Sequence, residues 1–142
     1  MPGHPEQVVP LVPGQPPAAA IITVSSGLAF TPLAATPSYN ASKAGIHLLS
    51  ESIRLQLAGT SVQVIELEPP SVRTGLLPGQ EDNEVAMPLD EFITEAVGLL
   101  ASQPEAREIQ PERVKFLRYG EARGDYDQVV ATLNAADPHG KS

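Results

Sequence analysis

The chain has 142 residues, which is enough for one compact domain with its own core. It contains no cysteine, which excludes disulfides, thiol catalysis and thiolate metal sites, and its three histidines lack ligand spacing, so we expect no bound metal. Seventeen acidic and nine basic residues give a formal charge of −8, which argues against a nucleic-acid or anionic-membrane partner. Without a secretory signal or an apolar run of about 20 residues, the sequence predicts a cytoplasmic protein.

A proline-rich leader precedes the first predicted element. Six of the 15 prolines lie in residues 1–17, and since each fixes its own φ and disfavours helix before it, we expect this leader to be extended or disordered. A linker is the simplest role, and a proline-rich ligand for a recognition domain is the alternative. The domain then occupies residues 18–142. Its first segment, residues 18–25 (AAAIITVS), predicts a strand that is buried on both faces, as in a parallel sheet.

A helix and a second strand follow. Ser38 is the predicted N-cap of a helix over residues 39–58, and Gly59 is suited to end it. Residues 62–67 (VQVIEL) predict a strand. Strand, helix and strand in this order make a βαβ unit, which predicts a right-handed crossover and two parallel strands in one sheet.

The remainder of the chain predicts a loop, two more helices and a short third strand. The loop spans residues 71–87, and a helix at 88–102 begins with a proline and two acidic residues that suit its first turn. Residues 113–117 (RVKFL) predict the third strand, and residues 121–134 predict a terminal helix. The sequence therefore predicts an α/β fold with about three strands and three main helices.

Residues with useful chemistry gather where the two long strands end. Ser25 and Ser26 end the first strand, Tyr39 and Lys43 open the crossover helix, and the loop at 69–76 leaves the second strand. Because open parallel sheets bind ligands outside the carboxyl ends of their strands, we expect these three groups to converge at one edge.

Tyr39 and Lys43 are four residues apart on the predicted helix, so their side chains share a face. A nearby ammonium and the positive end of the helix both favour a phenolate, which suits a tyrosine that acts as an acid or base. By itself the Tyr-x-x-x-Lys spacing is weak evidence, because a surface pair on a helix is its usual meaning.

The longer stretch IITVSSGLAFTPLAATPSYNASKAG resembles the active-site segment of the short-chain dehydrogenase/reductase (SDR) family. In that family a serine precedes the catalytic tyrosine by thirteen positions and a lysine follows at four, as Ser26, Tyr39 and Lys43 do here. The run 69–74 (PPSVRT) resembles the family's Pro-Gly-x-Val-x-Thr turn, with a proline in place of the glycine. The later segments look like the tail of a bacterial branch named after the D-alanylation operon, so the resemblance covers roughly residues 18–134.

The resemblance implies a role for each matching residue. Tyr39 would be the general acid and base, Lys43 would support it and bind the nicotinamide ribose, and Ser26 would hold the substrate oxygen. The nicotinamide end of NAD or NADP would be contacted by three residues after the second strand: Pro69, Val72 and Thr74. The substrate would be a small alcohol or carbonyl compound.

The resemblance also implies that much of the family's domain is missing. The chain looks like the C-terminal half of a Rossmann-like doubly wound parallel sheet, without the N-terminal nucleotide-binding half. None of the 11 glycines forms the glycine-rich fingerprint of that half, and the residue that selects NAD or NADP is absent. We therefore expect weak or no dinucleotide binding by the chain alone, and an unpaired, apolar outer edge on the first strand that promotes self-association.

Three functions remain open at this stage. The chain is an NAD(P)-dependent oxidoreductase that works within a longer or complemented protein, an inactive fragment of one, or an interaction module. In the family the helix at 39–58 packs against its copy in a partner subunit, which implies a homo-oligomer. The apolar stripe that would serve this contact contains Ile46, Leu49, Ile53 and Leu57.

Other polar residues predict no site. His47 falls on the polar side of the predicted helix, and we expect it to be exposed. Glu91 and Glu95 are one helical turn apart, and a solvated acidic face explains them better than paired catalytic carboxylates. Asn40 begins a glycosylation-like triplet, which we interpret as a chance match.

Overall fold

The computed structural model describes residues 19–72 and 86–136 and contains a parallel three-stranded sheet in those ranges. The strand order is β1 (Ala19–Val24), β2 (Val62–Leu67) and β3 (Glu108–Ile109). β1 and β2 pair in parallel over six residues, and β3 pairs in parallel with the end of β2. The predicted α/β class and parallel βαβ unit are confirmed. The leader at 1–17 and Thr74 lie outside the described residues.

Five α-helices and two short 3₁₀ turns make up the rest of the described chain. The 3₁₀ turns are Gly27–Ala29 and Glu112–Val114. The helices are α1 (Pro37–Gln56), α2 (Leu89–Ser102), α3 (Lys115–Arg118), α4 (Gly120–Arg123) and α5 (Tyr126–Ala136). Within the two described ranges, no helix is both long and apolar enough to cross a bilayer.

The crossover helix begins slightly earlier than the sequence predicts. Pro37, not Tyr39, is the first residue of α1, and Thr36 rather than Ser38 occupies the N-cap position. Proline fits there because the first turn of a helix needs no N–H donor from that residue. Gly59 lies in the turn after α1 with φ of +83°, a left-handed conformation that favours glycine.

The prediction of a third strand at 113–117 is wrong. Those residues lie in a 3₁₀ turn and in α3, and the free edge of β2 is taken by residues just before Pro111 instead. The amide of Glu66 donates to the carbonyl of Arg107 at 2.8 Å, and the amide of Glu68 donates to that of Ile109 at 3.0 Å. The predicted terminal helix is divided into α4 and α5 by Gly124, at a φ of +88°.

α1 packs on the sheet face that carries alternate residues of β1 and β2. The hydroxyls of Thr23 and Ser50 are 2.6 Å apart, and His47 Nδ1 lies 2.7 Å from Glu66 Oε1. The buried apolar core includes residues of β2 and β3, of the second 3₁₀ turn and of α5, namely Val64, Ile65, Ile109, Val114 and Val129. This packing fixes the start of α1 beside the end of β1.

β1 is an edge strand. Its outer edge has no strand partner among the described residues, as predicted, because β2 lies on its other side. The expectation that β1 is buried on both faces is wrong: Ile21 is 40 % exposed, Ile22 51 % and Val24 46 %. An apolar run is buried only where neighbouring elements cover it, and here the described chain covers one edge and part of one face.

Candidate active site

The ends of β1 and β2 remain joined beyond the sheet. The amide of Ser25 donates to the carbonyl of Leu67 at 2.9 Å, and the amide of Gly27 donates to the carbonyl of Pro69 at 3.1 Å. Two of the predicted site segments therefore lie side by side at the carboxyl edge. Ser26 lies between these two bonded positions of the chain.

Ser26 is buried, with 8 % exposure, in an extended conformation at the start of the first 3₁₀ turn. Its Oγ accepts a 3.0 Å hydrogen bond from the amide of Leu28, which fixes the position of the hydroxyl oxygen. A hydroxyl that accepts in this way keeps its own O–H for donation to another group. The arrangement suits a residue that holds a carbonyl or alcohol oxygen.

Tyr39 and Lys43 lie together in the first turns of α1, as their spacing predicts. Lys43 Nζ is 5.5 Å from the centroid of the Tyr39 ring and donates a 3.2 Å hydrogen bond to the carbonyl of Val24. The Tyr39 side chain is 47 % exposed, so its ring is open to solvent. The lysine thus joins the tyrosine to the last residue of β1, two residues before Ser26.

Asn40, which the sequence interpretation left without a role, connects the loop after β1 to the start of α1. Its Nδ2 donates to the carbonyls of Leu28 at 2.8 Å and Thr31 at 3.0 Å. Its Oδ1 accepts from the amide of Leu33 at 3.3 Å and from the hydroxyl of Thr36 at 3.1 Å. The residue next to Tyr39 therefore uses both ends of its amide to hold the loop that follows Ser26.

The residues predicted to contact the nicotinamide follow β2. Pro69 lies against the Ser26 segment through its carbonyl, and Val72 forms a parallel bridge with Met87. The amide of Met87 donates to the carbonyl of Ser71 at 2.7 Å, so the described residues 71–72 lie beside Met87. Pro69 is therefore at the same edge as Ser26, and Val72 begins the bridge with Met87.

A buried polar cluster lies directly behind this edge. The hydroxyl of Ser25 donates to Glu66 Oε2 at 2.5 Å, and the other oxygen of that carboxylate is 2.7 Å from His47 Nδ1. The prediction that His47 is exposed is wrong: its side chain is 19 % exposed and its ring packs edge-on against Phe30 at 4.7 Å. The helix periodicity placed His47 on a polar side, but the partner that buries it comes from β2.

The cluster continues toward β3 and α3. Arg118 donates to both oxygens of Glu108, at 2.8 and 3.3 Å, and its Nε is 3.7 Å from Glu68 Oε1. Gln110 Nε2 donates to Glu68 at 3.1 Å and to Glu108 at 3.2 Å. Glu66, in β2, and Glu68, directly after it, are two residues apart and therefore share one face of the sheet.

The two carboxyl groups at this end of the cluster have opposite pKa shifts. Burial, together with the hydrogen bond to Glu108, raises the pKa of Glu68 to about 10. Burial alone would also raise the pKa of Glu108, but hydrogen bonds from Glu68 and Arg118 outweigh it and lower that pKa to about 2. A carboxyl and a carboxylate therefore lie side by side, with Glu68 holding the proton.

Comparison with known proteins decides the family. Residues 6–85 match the family profile described as short chain dehydrogenase. The chain belongs to the short-chain dehydrogenase family. It is 40 % identical over 125 residues to the uncharacterized oxidoreductase DltE of Bacillus subtilis (strain 168), covering 85 % of this chain and 48 % of that protein.

A solved short-chain dehydrogenase has the same fold over most of this chain. The crystal structure of a short chain dehydrogenase from Burkholderia cenocepacia J2315 in complex with NADP gives a TM-score of 0.64 at 28 % identity. The match covers 80 % of this chain and 48 % of that one. This short-chain dehydrogenase chain therefore spans about half the length of both relatives, and the predicted family and Rossmann-like portion are confirmed.

Proposed function

We propose that this chain carries the catalytic half of an NAD(P)-dependent oxidoreductase that interconverts an alcohol and a carbonyl compound. The observation that carries the proposal is the position of Lys43, which lies 5.5 Å from the Tyr39 ring and hydrogen-bonds the carbonyl of Val24 at 3.2 Å. A phenol, an ammonium and the nearby hydroxyl of Ser26 then border one edge of the sheet. Family membership and a relative solved with NADP support the same conclusion.

Each residue has a distinct task in the proposed reaction. In the direction of reduction, the Tyr39 hydroxyl gives its proton to the carbonyl oxygen of the substrate, and Ser26 donates a hydrogen bond to the same oxygen. The nicotinamide cofactor, when bound, supplies the hydride that adds to the carbonyl carbon. In oxidation Tyr39 would take the proton of the alcohol oxygen, and the oxidised cofactor, when bound, would accept the hydride from the carbon, so one alcohol and one carbonyl interconvert without water.

The residues present fit the nicotinamide end of the cofactor. Lys43 has three N–H donors, so its bond to Val24 leaves others for a ribose hydroxyl. Pro69 lies beside the Ser26 segment, and we propose that it contacts the nicotinamide together with Val72 and Thr74. Because the chain spans about half of its relatives, we propose that the remaining contacts come from residues outside these 142, and that the chain alone binds weakly.

The first experiment is a titration of the purified chain with NADH and with NADPH, followed by nicotinamide fluorescence. The protein contains no tryptophan, so the nicotinamide signal is free of interference from indole emission. Saturation below about 1 mM, a free energy near −4 kcal/mol, would show that this half of the site binds a cofactor by itself. If the folded chain binds neither cofactor, most of the free energy of cofactor binding comes from the half of the site that this chain does not contain.

A paired substitution tests the catalytic assignment once cofactor binding or turnover is found. Tyr39→Phe removes the phenol oxygen at the proposed site, and Tyr126→Phe removes one on α5. We expect Tyr39→Phe to lower turnover by a hundredfold or more while binding is kept, because general acid–base groups contribute factors of about 10² to 10⁴. Equal turnover in the two variants would assign the tyrosine a structural role and favour the inactive-fragment alternative.

Exposed leucines on α1 favour a second candidate function, which is association through this helix. Leu48 is 64 % exposed, Leu49 53 % and Leu55 79 %. Only Leu49 of the predicted stripe is this exposed, while the other three members, Ile46, Ile53 and Leu57, are partly buried. We propose a homo-oligomer that uses these leucines; a Leu48→Glu, Leu55→Glu double variant should then sediment as a smaller species than the unmodified chain.

A further inference from the structure

The buried cluster behind the catalytic edge has the composition of a metal site. We propose that His47, Glu66, Glu68 and Glu108 bind one divalent transition-metal ion. One ligand-capable atom from each residue lies within 4.8 Å of the others. They come from α1, from β2 and the residue directly after it, and from β3, so no spacing in the sequence reveals that they meet.

The donor set indicates the class of ion. One imidazole nitrogen and three carboxylate oxygens suit ions such as Mn²⁺, Fe²⁺ and Zn²⁺, whereas Mg²⁺ keeps its water and prefers oxygen ligands. Bonds of about 2.0–2.2 Å to such an ion place its ligands roughly 3 to 4.5 Å apart. The present 4.8 Å separation therefore needs only a small contraction of the side chains.

The charges of the cluster match a divalent ion. Glu66 and Glu68 are fully buried, and Glu108 brings a third carboxylate to the same place. Arg118 is the permanent cation that the structure places against them. An ion that binds here would displace the proton of Glu68, and the three carboxylates would then carry two negative charges more than Arg118 compensates, which is the charge of a divalent ion.

An orphaned oxygen gives independent support for a missing ligand. Glu68 has a completely buried side chain, and within the described ranges no N–H or hydroxyl group donates to its Oε2, so only the proton shared with Glu108 satisfies this carboxyl group in the absence of an ion. Its other oxygen accepts from Gln110, which orients the carboxyl group. Buried polar atoms almost always have a partner, so an unpaired oxygen next to two other carboxylates points to a bound species.

An entry path leads to the cluster from solvent. A cavity of about 570 Å³ borders the cluster on its His47 side and is lined by six residues: Ala29, Phe30, His47, Arg118, Glu121 and Ala122. The side chains of His47 and Arg118 are 19 % and 22 % exposed, so they form the boundary between the cavity and the buried carboxylates. An ion can therefore reach the site without unfolding the sheet.

Arg118 and the ion can share Glu108. A carboxylate has two oxygens and about four acceptor positions, so it can accept from a guanidinium and ligate a metal together. The ion would then link α1, β2 and β3 behind the proposed catalytic edge. Because Glu66 also accepts from Ser25, the residue before Ser26, the ion would stiffen the end of β1.

The test measures Mn²⁺ and Zn²⁺ binding to the full chain after metal removal by EDTA and dialysis. We expect one Mn²⁺ per chain, seen as loss of the free-ion signal in electron paramagnetic resonance, with displacement by Zn²⁺. Glu68→Gln should weaken binding at least tenfold, because an amide is a poor ligand of the same shape. His47→Gln is a second variant with the same expected loss, in case the first folds poorly.

Glu91→Gln is the matched control, because Glu91 is an exposed acid on α2 beside Asp90 and Glu95. Binding in this control should equal that of the unmodified chain. Zn²⁺ should also raise the melting temperature of the unmodified chain and of Glu91→Gln, but not that of folded Glu68→Gln. No binding at millimolar Mn²⁺ or Zn²⁺, equal binding by Glu68→Gln, or a loss confined to Glu91→Gln would overturn the proposal.

Discussion

Lys43 Nζ hydrogen-bonds the carbonyl oxygen of Val24, so the first turns of α1 are tied to the last residue of β1. The same ammonium lies 5.5 Å from the Tyr39 ring. One side chain thus connects the strand that precedes Ser26 with the helix that carries the tyrosine. This polar contact adds to the packing of α1 on the sheet and joins two segments that are far apart in sequence.

Lys43→Met tests whether this contact serves the proposed activity rather than the stability of the fold. We expect a loss of about 1 kcal/mol or less in the free energy of unfolding, because the bond is partly exposed to solvent. The proposed oxidoreductase activity should fall a hundredfold or more. It is measured with this chain together with the half of the site that binds the rest of the cofactor. Lys115→Met, which removes a surface ion pair with Glu112, is the control and should leave that activity unchanged. Retained activity in Lys43→Met would contradict the proposed role.

Asn40→Ala should destabilise the fold more than its partial exposure suggests. The substitution removes four hydrogen bonds and leaves the carbonyls of Leu28 and Thr31 without the donor that Asn40 supplies. We expect the free energy of unfolding in urea to fall by about 1–3 kcal/mol. Gln128→Ala, at an exposed position with one long hydrogen bond of 3.4 Å, should change it by less than about 0.5 kcal/mol. Equal effects would mean that the loop does not depend on Asn40.

Glu68 should make the metal-free protein less stable as the pH rises. Its pKa is raised from 4.5 to about 10 by burial, so the folded state keeps a proton that the unfolded chain releases above pH 4.5. The contribution of this group is therefore complete below pH 4.5 and is lost as the pH rises toward 10. Glu68→Gln cannot titrate there, and in EDTA it should be more stable at pH 8 by about 1 kcal/mol or more.

The measurement is urea unfolding at several pH values between 5 and 9 in EDTA. The unmodified chain should lose stability across this range more steeply than Glu68→Gln does. Glu91→Gln again serves as the control, since an exposed helical acid should leave the slope unchanged. Parallel slopes for the chain and for Glu68→Gln would show that Glu68 is ionised in the folded state.

Two glycines test how closely the loop after β1 packs. A Cβ at Gly27 would lie 2.7 Å from Leu117 Cδ1 and 2.9 Å from Val114 Cγ2, in a buried region. We expect Gly27→Ala to cost about 1–3 kcal/mol in the free energy of unfolding. A Cβ at Gly98, in the middle of α2, would meet nothing within 4 Å. Gly98→Ala should therefore stabilise by about 0.5–1 kcal/mol, and the two melting temperatures should move in opposite directions.

Local patterns predicted the elements that position the site. The strand at 62–67 and the helix at 88–102 agree with β2 and α2 within a residue, because periodicity and flanking prolines mark them. Tyr39 and Lys43 meet because a helix brings residues four apart together. β3 was missed because its two residues have no periodicity, and only its pairing with β2 makes it a strand.

The buried cluster was beyond prediction from the sequence. Glu68 and Glu108 are 40 residues apart and are brought together by the pairing of β2 with β3. His47 has an ordinary place on a helix, and its burial depends on Glu66 from a different element. Charged residues are expected at the surface, so only the three-dimensional arrangement shows that these are buried against one another.

The outer edge of β1 offers a second surface for self-association, in addition to the exposed leucines of α1. Ile22 and Val24 are 51 % and 46 % exposed, and the strand sequence contains no charge that would prevent pairing with another chain. Ile22→Lys should reduce association in sedimentation experiments while leaving the melting temperature within a few degrees, because the side chain is already half exposed. Thr132→Lys, on the exposed surface of α5, adds the same charge elsewhere and should have no effect. If both variants associate like the unmodified chain, the contact lies on another surface, and the exposed leucines of α1 become the next region to test.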